Sequence, residues 1–133
     1  DYNRAEAAQR ATHPHIVDPV AVLAAGAEAE DAGETRAALV RALAAMLPAT
    51  NAAAANIVDA RGTIVATTLP AYGALHVSRA VMDDLAPVFG GATRFIAPRP
   101  ESERLVGATR YALTRPVLWF AAPVRDAEGR IVA

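Results

Sequence analysis

The chain has no cysteine and no lysine. Without cysteine it can build neither a disulfide framework nor a thiolate metal site, and its redox compartment stays open. All 13 of its basic residues are arginine, set against 14 acids, so the net charge is −1. That balance leaves no cationic surplus to attract nucleic acid, and no basic stripe is visible. Aromatics are also scarce: one Trp, three Tyr and three Phe among 133 residues. The apolar fraction of 53% is therefore swollen by alanine, and a core built from it is padded with small side chains. No apolar run approaches the roughly 20 residues that span a bilayer. No serine sits in a nucleophile elbow, and neither a Walker-type loop nor a His-Glu-x-x-His pair occurs. No acid–base pair stands out, so the chain reads as a binding domain, not a catalyst, and no cofactor is expected.

What is present is a single-domain length with a real core. The chain opens on Asp1 and stops at Ile131-Val132-Ala133, inside a strand pattern. We therefore expect a piece excised from a longer chain, with any targeting segments in the missing flanks. The stretch Val117–Ala133 organises the reading. It predicts an apolar strand over Val117–Val124, a tight turn at Asp126-Ala127-Glu128-Gly129, and a returning strand. An aspartate opening such a turn caps its N–H groups, and glycine closes it because only glycine takes positive φ cheaply. The same device recurs at Asp59-Ala60-Arg61-Gly62. One antiparallel sheet, opened by the first hairpin and closed by the second, is the expectation.

Upstream lie helix formers. Arg4–Ala11 predicts a helix needing a partner surface, and His13-Pro14-His15 a turn. Two histidines two apart are a poor metal site without a third ligand. Asp18-Pro19 reads as N-cap and first helical residue, and Asp31-Ala32-Gly33 as a break. Glu34–Leu47 is the clearest amphipathic helix, with Leu39, Val40, Leu43, Met46 and Leu47 on one stripe and Pro48 at its end. Ala49–Ala55 links to a hairpin of Asn56–Val58 with Thr63–Thr68. A helix over Leu75–Val88 buries Val77, Val81 and Leu85. Thr93–Ala97 reads as a strand, Pro98–Glu103 as a polar loop, and Val106–Thr114 as a strand pairing with Val117–Val124 across Arg115-Pro116. Helices followed by strands with a helical crossover give an α+β domain with an antiparallel sheet, helices segregated to one face. It divides into a helical region, 1–55, and a sheet core, 56–133.

Three features together resemble the Cache branch of the PAS-like sensor domains. The first is a helix feeding ANIVDARGTIVATT at residues 55–68, similar to that family's opening hairpin. The second is the helix-bearing insertion His76–Phe89. The third is PVLWFAAPVRDAEGRIVA at residues 116–133, similar to its closing hairpin. The likeness spans roughly residues 34–133. It departs where the family often carries an aspartate-serine-aromatic stretch, for here the sequence is HVSRAVMDDLAPVF, and the ligand is not carried over. The resemblance implies N-terminal helices packed on one sheet face and a ligand pocket between the sheet and the inserted helix. It also implies a helix continuous with a membrane span, homodimerisation through that helix, and a periplasmic position in an inner-membrane receptor. Output domains in such receptors are histidine kinases, diguanylate cyclases or chemotaxis rods. The rival expectations are a cytosolic PAS-type dimerisation module without ligand, and a small enzyme on a profilin-like scaffold.

The candidate ligand-binding residues are Tyr72, His76, Arg79, Arg94, Arg110, Tyr111 and Trp119. Strand alternation sets Val117, Trp119, Ala121 and Pro123 on one face and Leu118, Phe120, Ala122 and Val124 on the other. Trp119 among alanines suits a pocket wall, or else it is simply the largest core residue. In Gly107–Thr114, Tyr111 shares a face with Thr109 and Leu113, and Arg110 shares one with Ala108 and Ala112. Arg94 lies mid-strand beside Ile96, where it must snorkel, pair, or meet a carboxylate ligand. His76 and Arg79 are helix-face neighbours that resemble the basic pairs of dicarboxylate sensors, although a solvated face explains them too. An organic acid or amino acid is the expected ligand. Asp83-Asp84 reads as a solvated face, and Asp59 and Asp126 as turn-formers.

Overall fold

The structure is a computed structural model that describes residues 2–24, 29–50, 52–72, 75–106 and 117–133. Three helices come first: α1 (Tyr2–Ala11), α2 (Pro14–Ala24) and α3 (Ala29–Thr50). The hairpin β1 (Asn56–Val58) and β2 (Ile64–Thr67) follows, then a 3-10 turn, Pro70–Tyr72, and the short β3 (His76–Val77). After α4 (Arg79–Phe89) come β4 (Arg94–Arg99), the single turn α5 (Glu101–Arg104), β5 (Leu105–Val106) and β6 (Val117–Ala121). The architecture is α+β, and among the described residues every strand pair is antiparallel.

The expected single sheet is corrected. Among the described residues the strands form three two-stranded pairs, β1–β2, β3–β5 and β4–β6. A bridge from Thr63 to His76 ties the first pair to the second. The partner of β6 is β4, with Ile96 opposite Trp119, whereas the strand expected to pair with it falls mostly at residues 107–116, outside the described residues. Pro98 sits where that register jumps between Ile96 and Arg99. A residue without an N–H is tolerated there because a bulge omits a ladder bond.

The helix boundaries are corrected too. The α2 helix starts at Pro14, not at Pro19, and Pro19 lies within it. Proline suits the first turn of a helix, and the His13 carbonyl accepts from the N–H groups of Ile16 and Val17. Burial of Ile16 and Val20 against α3 outweighs the hydrogen bond that Pro19 cannot make. Likewise α3 runs unbroken through Gly33 and past Pro48. A helical glycine costs only about 1 kcal/mol relative to alanine. Burying Leu39 and Leu43 offsets that, at about 1.5–3 kcal/mol for each leucine. The α4 helix begins four residues later than the pattern implies, because His76 and Val77 pair with Val106 and Leu105. Ser78 then accepts the Val81 N–H at 3.3 Å and caps the helix. The segment 101–104, read as loop, is a helical turn.

The described residues form two apolar cores. Ile16, Val20, Leu39, Leu43, Ile57, Ala66 and Val124 form one beneath the N-terminal helices. Ile64, Tyr72, Val77, Val81, Leu85, Val88, Ile96 and Leu105 form the other beneath α4. The first hairpin serves both through a bulge. Ile57 lies opposite Ala66 in the first core, but Val58 lies opposite Ile64 in the second, which skips Val65. Arg36 Nε of α3 donates to the Val65 carbonyl at 2.8 Å, giving the bulged residue's carbonyl a donor. The exit segment divides in the same way, as its alternation predicts: Trp119 and Ala121 pack with the second core, Ala122 and Val124 with the first.

Candidate functional site: a cavity where the two cores meet

A cavity of about 710 Å³ lies along this seam. Its walls come from both cores: Ala11, Leu43 and Val124 from one, Tyr72, Leu85 and Val88 from the other. The link 52–55, four consecutive alanines, lines it as well. Side chains one carbon long leave room where larger ones would fill the seam. Its volume lies within the roughly 300–1,000 Å³ typical of small-molecule sites.

Five of the described lining residues carry polar side chains: Arg10, Asn56, Tyr72, Arg104 and Trp119. Arg104 is the most enclosed of the cations, with 2% of its surface exposed. Its guanidinium carbon stands 5.2 Å from the centre of the Trp119 ring. Stacking of this kind is worth about 2 kcal/mol when water is excluded. The backbone explains how a charge reaches such a place. Arg104 ends α5 and is followed directly by Leu105, which pairs with Val77. The Arg104 carbonyl accepts the Ser78 N–H, the residue that caps α4. Its main chain is thus locked at the joint of β3, β5 and α4. Trp119 is fixed from the other side by its register with Ile96. Tyr72, 1% exposed, is set by the 3-10 turn in which its N–H donates to the Leu69 carbonyl. The amide oxygen of Asn56 accepts the Thr67 hydroxyl at 2.6 Å, which orients the head of β1.

Of the residues named from sequence, Tyr72 and Trp119 meet at this cavity. His76, Arg79 and Arg94 are exposed and lie outside its lining. Arg94 takes the snorkelling option, at the outer end of β4 opposite Ala121. Arg110 and Tyr111 fall outside the described residues. Arg10, Asn56 and Arg104 were not legible as site residues. Arg104 directly follows a polar, proline-rich stretch, and the signal pointing inward is the buried Leu105 after it. The pocket also extends further toward α1 and α3 than a space between sheet and inserted helix implies.

Asp59, Asp84 and Asp126 do structural work. Asp84 Oδ2 accepts from Arg99 Nε at 3.2 Å and Nη2 at 3.1 Å, tying α4 to β4, while Asp83 is exposed. Asp59 and Asp126 each accept two backbone N–H groups of their turns. His13 and His15 stack at 5.1 Å on the surface, and among the described residues no three metal-ligating side chains gather. Among those residues, too, no helix is long and apolar enough to cross a membrane. Comparison with family models, with curated proteins and with solved structures found no match.

Proposed function

We propose that the chain is a small-molecule sensor domain of the PAS-like, Cache type, held outside the cytoplasm by a membrane-bound bacterial signalling protein. Its ligand is an organic acid or amino acid, and the domain itself is not a catalyst. The observation that carries this reading is the cavity on the seam between the two cores, with the buried Arg104 stacked on Trp119 in its wall. The lining groups bind and orient a guest. Beside them, among the described lining residues, stands no carboxylate or imidazole side chain suited to proton transfer.

The cavity also touches the two elements through which such a domain would signal. Ala7, Arg10 and Ala11 belong to α1, and Ala121, Ala122 and Val124 to the exit segment. A guest bound there contacts both at once. It biases their arrangement by its difference in affinity for the two states, commonly about 1–3 kcal/mol of coupling. Pairing of two chains through the N-terminal helices would carry that bias onward.

A thermal-shift screen of organic acids and amino acids tests the reading. A ligand at 100 times its Kd stabilises the folded state by about 2.7 kcal/mol. We expect at least one compound to raise Tm by several degrees in a saturable way. A screen in which no compound stabilises the chain would overturn the reading and favour a dimerisation module without ligand.

A further inference from the structure

We infer that Asn56 is the polar anchor of the cavity: its side-chain NH2 donates to a carbonyl or carboxylate oxygen of the guest, and Thr67 positions that donor. This rests on the cavity being the ligand site and adds which group reads the head of the ligand. Arg10, Tyr72 and Arg104 of the lining already have partners, and Trp119 carries the Arg104 guanidinium on its ring. Asn56 is half-buried on the same wall, and one end of its amide is taken.

Which end is taken follows from the hydrogen bonds at the head of β1. The Leu69 N–H donates to Thr67 Oγ1 at 3.0 Å, so that hydroxyl already accepts and has one proton to give. The Leu69 carbonyl stands 3.4 Å from it and the Asn56 amide 2.6 Å. A separation of 2.6 Å is usual for O–H···O and short for N–H···O, which identifies the amide atom facing Thr67 as oxygen. The NH2 on the other arm of the planar amide therefore points away from Thr67, and among the described residues it meets no acceptor. Turning the amide over would give up the 2.6 Å bond and press an N–H on an oxygen that already accepts Leu69. The wall thus presents a donor at this point, not an acceptor. Its main chain is fixed as well. Asn56 lies opposite Thr67 in the ladder, and beside it the Ala55 N–H donates to Thr68 Oγ1 while the Ala55 carbonyl accepts the Thr68 N–H, both at 3.0 Å. A donor held in this way loses little entropy when a guest arrives. Its neighbours in the wall, Ala55, Ile57 and Val58, offer hydrocarbon, so an acceptor brought by the guest is the gain open to it. Organic acids and amino acids both carry a planar oxygen of that kind, whereas an ammonium carries donors alone.

Isothermal titration of the 1–133 chain with hexanoate, heptan-2-one and hexylammonium tests this, because the three share a pentyl tail and differ in the head. We expect the acid and the ketone to bind more tightly than the amine, by roughly threefold or more. Asn56→Asp keeps an oxygen for Thr67 and removes the NH2. It should weaken hexanoate by about tenfold or more and heptan-2-one by roughly threefold or more, while hexylammonium tightens. Weakening of the acid with the ketone spared would reduce the effect to charge, and equal weakening of all three would reduce it to damage of the wall; either overturns the anchor. Binding by none of the three to the unsubstituted chain overturns the inference, and the broader screen then decides separately whether the ligand-site reading falls with it. Thr67→Val should weaken the acid and the ketone as well, and Thr67→Ser, which keeps the hydroxyl, should not. A Thr67→Ser chain as weak as Thr67→Val contradicts the positioning role. NMR serves if the Asn56 variant does not fold, since the chain has three asparagines and one glutamine and the Asn56 NH2 protons are easily singled out. They should shift when heptan-2-one is added. Protons that stay fixed while the backbone amides of 52–55 shift would overturn the anchor and leave the cavity as a ligand site.

Discussion

The turns at residues 59–63 and 126–130 are built from the same four hydrogen bonds. Asp59 N–H donates to the Thr63 carbonyl at 3.0 Å, and Asp126 N–H to the Arg130 carbonyl at 2.9 Å. Gly62 and Gly129 each donate back to the aspartate carbonyl at 3.0 Å. One carboxylate oxygen accepts from Arg61 and Thr63 in the first turn, and from Glu128 and Arg130 in the second. Both glycines have positive φ, +88° and +80°. Yet the surroundings differ. Gly62 is buried against α4, where an added Cβ would stand 3.0 Å from Met82 Sδ and 3.4 Å from Val77 Cγ2. Its carbonyl also accepts the Val77 N–H at 2.9 Å. Gly129 has nothing within 4 Å of that position and is exposed. The pair separates what a turn owes to its own residues from what it owes to its neighbours. Local chemistry sets the shape, and packing sets what losing it costs.

Substitutions can break that comparison. Gly62→Ala combines the left-handed backbone strain with crowding at Met82 and Val77, and should destabilise the fold by about 2–4 kcal/mol in urea unfolding. Gly129→Ala meets the strain alone and should cost about 1–2 kcal/mol. Equal losses at the two sites would mean that packing on α4 adds nothing. The smallest effect concerns pH. Burial raises the Asp126 carboxyl, but the hydrogen bonds and charge of Arg130, with the Glu128 N–H, outweigh it and hold the group below its ordinary value. Arg130 is held above its ordinary value by the same contact, a hydrogen bond and ion pair at 2.8 Å. A depressed carboxyl contributes stability that is present above its unfolded pKa of about 3.9 and is lost as pH falls through the lower folded value. Asp126→Asn should therefore flatten the acid limb of stability against pH while changing little at neutrality beyond the lost ion pair. An acid limb that stays as steep assigns it to another carboxyl.

Both turns were readable from the chain because aspartate and glycine act within five residues. The boundaries of α2 and α3 were not, because Pro19, Gly33 and Pro48 signal locally while Ile16, Val20, Leu39 and Leu43 act across the core. The alternation of Trp119 and Ala121 against Ala122 and Val124 was legible. The cavity's other walls were hidden for a physical reason. Arg10, Asn56 and Arg104 reach it through the meeting of α1, β1 and α5, elements distant in sequence whose composition reads as surface. No period along the chain records that meeting.

The central claim is that a guest on the seam touches α1 and the exit segment together. Hydrogen exchange of the 1–133 chain, with and without a saturating acid from the screen, tests it most directly. The account predicts slower exchange in residues 7–11 and 119–124 together, with little change at the turn 126–130. Protection confined to one of the two segments, or spread evenly over the chain, would contradict it.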